Sequence, residues 1–243
     1  ISSFTSTFSS TFLGTSSYEK VEIEGEQDTQ YYKSEFKTID ELIAATDETI
    51  ETVAGEGAVL LKNENNTLPL KSGSKVSTFG VGSYRSTVTS SGSVFASGGC
   101  GREVDLKTGL EQDGISVNED IWNFYADKDL QEKYKTIRNG MMAPGPLFQQ
   151  INEVPWDKVS NATSGLIGEY DDAAIYNIVR ISGEGNKDVN SWGTTDTYNG
   201  DSLTLSNEER ANLKGLKALK DSGKIKKIIV LLSALVASVA IAF

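Results

Sequence analysis

The chain has 243 residues, carries a formal net charge of −11 at pH 7 and contains no histidine. The acidic charge argues against nucleic-acid binding, because phosphate contacts require clustered Lys and Arg side chains. Without histidine, and with a single cysteine, proton transfer near neutral pH depends mainly on carboxylates. The hydrophobic fraction of 38% is enough for a core, and the length allows one large domain or two small ones.

The N-terminal part contains a polar stretch followed by a predicted helix. Residues 1–38 are rich in Ser and Thr and show no helical period, which is typical of an arm or linker. In residues 39–56, apolar side chains recur at three- and four-residue steps, and this predicts an amphipathic helix. Thr38 is the expected N-cap, and Glu41, three residues later, would complete a capping box.

Strands and helices are predicted to alternate along the rest of the chain. The apolar runs predicted as strands are Ala58–Asn63, Val76–Gly82, Ile115–Asn118, Asp172–Ile181 and Lys227–Leu232. The predicted helices are Val104–Gln112, 119–138 and Leu205–Ser222, and residues 139–165 are predicted to be irregular. This alternation predicts an α/β fold with a mostly parallel sheet flanked by helices on both faces. Because ligands bind outside the carboxyl ends of such strands, the Gly-rich polar loops 82–101 and 182–203 are where function is expected.

Two motifs carry a resemblance to a known family. The run Glu56–Asn63 reads E-G-A-V-L-L-K-N and is followed by the turn sequence T-L-P-L at Thr67–Leu70. This pair closely resembles the opening of the C-terminal-type α/β-sandwich domain of glycoside hydrolase family 3. About 120 residues later, S-G-E-G at Ser182–Gly185 resembles the segment that holds the glutamate acid/base of many family 3 β-glucosidases. The resemblance covers roughly residues 40–232, and it implies a sandwich domain over residues 39–243.

The resemblance implies an activity that the chain shares with a partner domain. Retaining glycosidases use two carboxylates about 5 Å apart, one as nucleophile and one as acid/base. By the resemblance, Glu184 is the acid/base in a β-glucosidase that hydrolyses terminal non-reducing β-D-glucosyl residues of a β-glucoside or small oligosaccharide. The family's nucleophilic Asp lies in a (β/α)-barrel, in an S-D-W-type segment. This chain has no S-D-W segment. Asn190–Gly193 reads N-S-W-G, which resembles such a segment superficially but lacks the Asp carboxylate.

The partner is therefore expected to be a (β/α)-barrel domain, on the same precursor or on another chain, and the chain alone is expected to be inactive. No cofactor and no metal are expected, because the carboxylates near Glu184 match no calcium loop. Two residues are candidate substrate contacts. Ser91 lies where the family has a loop that approaches the sugar, although a solvated Ser/Gly loop is an equal alternative. Trp192 follows Glu184 in the same loop and could stack on a sugar ring, as could Tyr198 and Trp156, although packing is the more common role of such aromatic side chains.

Two other functions are left open by the sequence. A non-catalytic carbohydrate-binding or assembly module is one alternative. A membrane-tethered surface domain is the other, because residues 228–243 carry no charge, but this run is shorter than the roughly 20 apolar residues that span a bilayer. The tail after about residue 232 does not match the family, so either the sheet is incomplete there or the chain departs from the family. No signal peptide is recognisable, and localisation is not predicted.

Overall fold

The computed structural model describes residues 34–84, 104–134, 137–139, 148–150, 152–180 and 204–234. Two compact units divide between Leu61 and Lys62. The predicted boundaries, an arm of residues 1–38 and a sandwich domain of residues 39–243, stay a prediction.

The first unit contains helix α1, Ile39–Gly57, close to its predicted bounds. The Thr38 hydroxyl accepts a hydrogen bond from the Glu41 N–H at 3.1 Å, as predicted. The Glu41 carboxylate accepts from the N–H of Lys37 at 2.7 Å, so the reciprocal half of the capping box reaches one residue further back.

The predicted strand Ala58–Asn63 is wrong. These residues form no strand, and Val59, Leu60 and Leu61 are 77%, 63% and 69% exposed. A parallel strand requires a neighbouring strand with a free edge, and an apolar run does not show whether one exists. The side chain of Asn63 instead bonds both the N–H and the carbonyl of Leu68, each at 3.0 Å, which closes a turn over Asn65 and Asn66.

The second unit is built around a four-stranded sheet, which confirms the predicted α/β class. All its strands are parallel, in the order β2-β1-β5-β6. The strands are β1 Lys75–Phe79, β2 Ser116–Val117, β3 Ile137–Asn139, β4 Phe148–Gln150, β5 Ala173–Arg180 and β6 Ile228–Ala234, of which β3 and β4 form a separate antiparallel pair. The helices are α2 Val81–Tyr84, α3 Leu106–Gln112, α4 Glu119–Ala126, α5 Lys128–Lys133, α6 Trp156–Thr163 and α7 Asn207–Asp221.

Residues 119–165 differ most from the prediction within the second unit. The single helix predicted for residues 119–138 breaks at Asp127, whose carboxylate caps α5 by accepting from the Leu130 N–H at 2.9 Å. The region predicted to be irregular holds β4 and α6. Pro155 directly precedes α6 with φ −57°, so this proline starts a helix rather than interrupting regular structure.

Helices cover both faces of the sheet, as the strand-helix alternation predicts. Side chains on a strand point alternately to the two faces, so Tyr176 and Ile178 of β5 pack on α4, α6 and α7 while Ile175 packs on the side of α3. Helix α7 opens with a capping box of Ser206 and Glu209. Within the described ranges, no helix is both long and apolar enough to cross a membrane.

Candidate functional site

The strand order places a topological switch point between β1 and β5. From β1 the chain moves to β2 on one side, whereas β5 and β6 lie on the other side. Ligands of open α/β sheets bind in the crevice outside the carboxyl ends of the strands at such a point. The last pair of the β1–β5 ladder is Phe79 with Tyr176, so the chain leaves the β1–β5 pairing at neighbouring positions on the two strands.

The predicted site residues follow these two strands. Ser91 comes seven residues after Tyr84, the end of α2, and Glu184 comes four residues after Arg180, the end of β5. Ser91, Glu184 and Trp192 themselves lie outside the described residues, and so does Tyr198, so their roles stay predictions. The structure describes the framework from which both segments start.

The chain leaves β1 through a tight turn of residues 80–83 at the carboxyl edge of the sheet, closed by the Ser83 N–H, which donates to the Gly80 carbonyl at 3.0 Å. Gly80 has φ +89°, a conformation that side-chain-bearing residues rarely adopt. A Cβ at Gly80 would lie 2.8 Å from Cε2 of Tyr176 and 3.1 Å from Oε2 of Glu153. Glycine is required here because both the backbone conformation and the close neighbours exclude a side chain.

Glu153 holds this turn from the face of the sheet on which Tyr176 lies. Its carboxylate is buried and accepts hydrogen bonds from the Val81 N–H at 3.2 Å, the Val154 N–H at 2.7 Å and the Tyr176 hydroxyl at 3.1 Å. Burial raises the pKa of Glu153 to about 7, and Glu209 nearby adds to the rise, although the hydrogen bonds from Val154, Val81 and Tyr176 oppose it. Burial likewise raises the pKa of Tyr176 and that of Tyr125, and the Glu153 charge contributes to both shifts. The Glu153 carboxyl is therefore expected to titrate near neutral pH, in a chain without histidine.

Asn177 holds the same turn from the other face of the sheet. Its side-chain N–H donates to the Gly82 carbonyl at 2.8 Å, and its side-chain oxygen accepts from the Ser233 hydroxyl at 2.9 Å. Sequence reasoning missed both Glu153 and Asn177. Asn177 carried a signal, since it is a polar residue inside the apolar run of β5, whereas Glu153 lies in a region that was predicted to be irregular.

An open depression of about 330 Å³ lies beside this edge, between α3 and the ends of β5 and β6. Its lining combines apolar side chains such as Leu110 and Leu231 with the polar groups of Asp105, Asn177 and Ser233. Trp156, by contrast, is a packing residue. It is the first residue of α6, and a Cβ added at Gly215 of α7 would overlap its ring.

The described residues include no group of three or more Cys, Asp or Glu side chains that could hold a metal ion. The described part of the candidate site is the carboxyl edge of the sheet, where Glu153 and Asn177 bond the turn that follows β1 and Asn177 also lines the open depression.

Comparisons of the sequence with family models and with curated proteins give no match. Comparison of the fold with solved structures does. β-Glucosidase 3B from Thermotoga neapolitana, in complex with α-D-glucose, is 25% identical with a TM-score of 0.55, and the match covers 78% of this chain and 24% of that one. A β-glucosidase from Paenibacillus barengoltzii is 27% identical with a TM-score of 0.52, covering 77% of this chain and 18% of that one.

The strand and helix arrangement is consistent with an α/β-sandwich domain whose four-stranded sheet is all-parallel. This fold is similar to a part of these β-glucosidases, and the likeness supports a relationship to glycoside hydrolase family 3. The chain spans less than a quarter of the length of these similar enzymes.

Proposed function

We propose that this chain is the sandwich-domain part of a retaining β-glucosidase and that Glu184 is its general acid/base. The observation that carries the proposal is the sequence position of S-G-E-G, which begins two residues after Arg180, the end of the central strand β5. The likeness to two β-glucosidases supports it, because one of them was solved with glucose bound.

The proposed chemistry divides the two carboxylates between two domains. A nucleophilic Asp from a (β/α)-barrel, on the same polypeptide or on another, attacks the anomeric carbon and forms a glycosyl-enzyme. Glu184 protonates the departing glycosidic oxygen and then removes a proton from the water that hydrolyses this intermediate. Gly183 and Gly185 on either side of Glu184 allow the backbone to approach the substrate closely.

The proposed substrate is a β-glucoside or a small oligosaccharide with a terminal non-reducing glucosyl residue. Ser91 is proposed as a polar contact of the sugar, since its segment follows β1 at the same switch point. Trp192 is proposed as a stacking surface for the ring.

The test is the leaving-group dependence of turnover in the assembly of this chain with its barrel. Glu184→Gln removes the proton donor, so hydrolysis of alkyl or disaccharide glucosides should fall by roughly 100-fold or more. Hydrolysis of a dinitrophenyl glucoside needs little protonation, so formation of its glycosyl-enzyme should be nearly unchanged. Glu169→Gln is the matched control, because Glu169 is an exposed residue bonded to Lys75 before β5. Equal turnover of the Glu184→Gln and unaltered assemblies would refute the proposal.

The alternative, a non-catalytic carbohydrate-binding module, makes a different prediction. It requires the isolated chain to bind glucose or cellobiose, which calorimetry measures directly. Absence of heat with both sugars, together with an active assembly, would exclude it.

A further inference from the structure

We propose that Asn177 is a positioning residue, which fixes the carboxyl edge of the sheet beside the depression by joining the turn after β1 and the end of β6 to the central strand β5. Its catalytic consequence rests on the proposed function of Glu184, whereas the structural tie itself does not.

The side chain of Asn177 uses both ends of its amide to connect different segments. One end donates to the carbonyl of Gly82 at 2.8 Å, in the turn that follows β1. The other end accepts from the hydroxyl of Ser233 at 2.9 Å, near the end of β6. One side chain therefore links three chain segments at this edge.

The backbone of Asn177 adds a third connection. Asn177 lies one residue beyond the last β1–β5 pair, and its N–H donates to the Ser83 hydroxyl oxygen at 3.2 Å. The Ser83 hydroxyl in turn donates to the carbonyl of Phe79 at 2.6 Å. Ser83 thus replaces the missing ladder partner and extends the contact between β1 and β5 past the end of β1.

The turn approaches β5 too closely for any side chain at Gly82. A Cβ there would lie 2.5 Å from the carbonyl oxygen of Asn177 and 2.8 Å from Cγ2 of Val179. The hydrogen bonds of Asn177 and this close approach together define one position for the turn.

Burying the polar side chain of Asn177 costs free energy unless its amide is hydrogen-bonded. The residue is 2% exposed and lies in a strand whose other residues from Ala173 to Val179 are apolar or aromatic. An apolar side chain would be expected at a position of this kind, because a buried amide must find hydrogen-bond partners. The partners here are all neutral, so the tie holds at any pH at which the fold is stable.

The position of Asn177 relates it to the chemistry. It lies on β5 three residues before Arg180, the last residue of the strand, and seven before Glu184. Displacement of a catalytic group by about 1 Å can reduce turnover roughly 100-fold. Loosening the turn and the strand end should therefore affect proton donation by Glu184 more than substrate binding.

The catalytic test compares leaving groups in the assembly with the barrel. For Asn177→Ala with a poor leaving group, we expect kcat to fall about 10-fold or more with little change in KM, because formation of the glycosyl-enzyme limits turnover. With dinitrophenyl glucoside, whose departure needs little protonation, the rate of glycosyl-enzyme formation should fall less than about 3-fold. Asn118→Ala is the matched control. Asn118 is also 2% exposed, and its amide bonds Ile121 and Leu166, so this variant should lower stability without changing the ratio between leaving groups.

A second measurement uses the isolated chain and does not depend on activity. The Ser83 N–H, bonded to the Gly80 carbonyl at 3.0 Å, should exchange with deuterium about 10-fold faster in Asn177→Ala than in Asn118→Ala. Ser233→Ala removes one tie and leaves the bond to Gly82, so it should give a smaller increase. Ser233→Ala also tests the tie if the Asn177→Ala variant does not fold.

The outcomes separate the two proposals. Unchanged turnover in Glu184→Gln refutes the proposed function, while the exchange experiment still tests the tie. A leaving-group effect in Glu184→Gln but an Asn177→Ala variant that behaves like Asn118→Ala overturns the positioning role. Equal exchange of Ser83 in the Asn177→Ala and Asn118→Ala variants overturns the tie itself.

Discussion

The two edges of the parallel sheet are stabilised in opposite ways. At the amino edge, Lys75 pairs with Glu169 at 2.6 Å, and Lys226 pairs with Asp171 and Asp172 at 2.9 and 2.8 Å. These are charged groups at the surface. At the carboxyl edge, the groups that hold the chain are buried, and Asn177 and Glu153 bond mainly to backbone groups and hydroxyls.

The difference indicates which edge of the sheet holds its groups in a single arrangement. Ion pairs between exposed side chains contribute little each and weaken with salt, so the amino edge tolerates substitution. Buried polar groups are costly when a partner is lost, so the carboxyl edge has one favoured arrangement. Ligands of parallel sheets bind at that same carboxyl edge.

The largest effect should come from a side chain at the carboxyl-edge turn. Gly80→Ala places a Cβ 2.8 Å from the Tyr176 ring in a residue with φ +89°. The backbone strain and the overlap together should lower the free energy of unfolding by roughly 2–5 kcal/mol. Urea denaturation measures it.

Gly73→Ala is the control for that substitution. Gly73 precedes β1 and has φ +85°, but a Cβ there would meet nothing within 4 Å. It should therefore show the strain alone, about 1–2 kcal/mol. Equal losses in the two variants would mean that the carboxyl edge is no more tightly packed than the amino edge.

The next effect is a pH dependence that originates at Glu153. Its folded pKa of about 7 lies above the ordinary 4.5, so the native state holds the proton more tightly than the unfolded state. This stability is present in full below about pH 4.5 and is lost as pH rises through about 7. The shift corresponds to about 3 kcal/mol.

Glu153→Gln isolates this contribution. The free energy of unfolding should fall between pH 5 and pH 8 in the unaltered chain and change much less in the variant. Histidine is absent from the chain, the lowered pKa of Asp172 acts below this window, and the raised pKa values of Lys75, Lys107 and Lys226 act above it. Partial burial also raises the pKa of Glu208, but this contribution is present in both proteins and cancels in the comparison. Identical slopes in both proteins would contradict the assignment.

The smallest effect is expected at the amino edge. Lys226→Gln removes the cation that, through its hydrogen bond, lowers the pKa of Asp172 most. Asp172 contributes stability above its unfolded pKa and loses it as pH falls through the folded value, so acid unfolding should begin at a slightly higher pH. At pH 7 the stability change should be smaller than that of Gly73→Ala and should vanish at high salt, because exposed pairs are screened. A large, salt-independent loss would show that the amino edge is as demanding as the carboxyl edge.

The sequence predicted the elements whose signals are local. Thr38 and Ser206 mark helix starts through their own side chains, and the strands predicted at Asp172–Ile181 and Lys227–Leu232 lie within two residues of β5 and β6. The strand predicted at Val76–Gly82 is wrong beyond Phe79, where β1 ends and Gly80 turns the chain into α2. The strand predicted at Ala58–Asn63 failed because strand formation depends on a partner elsewhere in the chain. Helix α6 lies in the region predicted to be irregular, because a proline such as Pro155 is as typical of a loop as of a helix start.

The site was predictable only in outline. The switch point follows from the strand order, which no local pattern shows, and the contact of Asn177 with Gly82 joins residues 95 positions apart. Glu153 reaches Val81 across 72 positions. The S-G-E-G motif identified the segment after β5, but the buried groups that support its starting point required the fold.

The most direct test of the central claim is the product that Glu184→Gln forms with azide in the assembly with its barrel. In a retaining enzyme that lacks its acid/base carboxylate, azide attacks the glycosyl-enzyme from the face that Glu184 no longer occupies. We therefore predict β-D-glucosyl azide from dinitrophenyl β-D-glucoside, identified by NMR. Formation of the α-azide would make Glu184 the nucleophile, and glucose as the sole product at an unchanged rate would show that Glu184 has no part in the reaction.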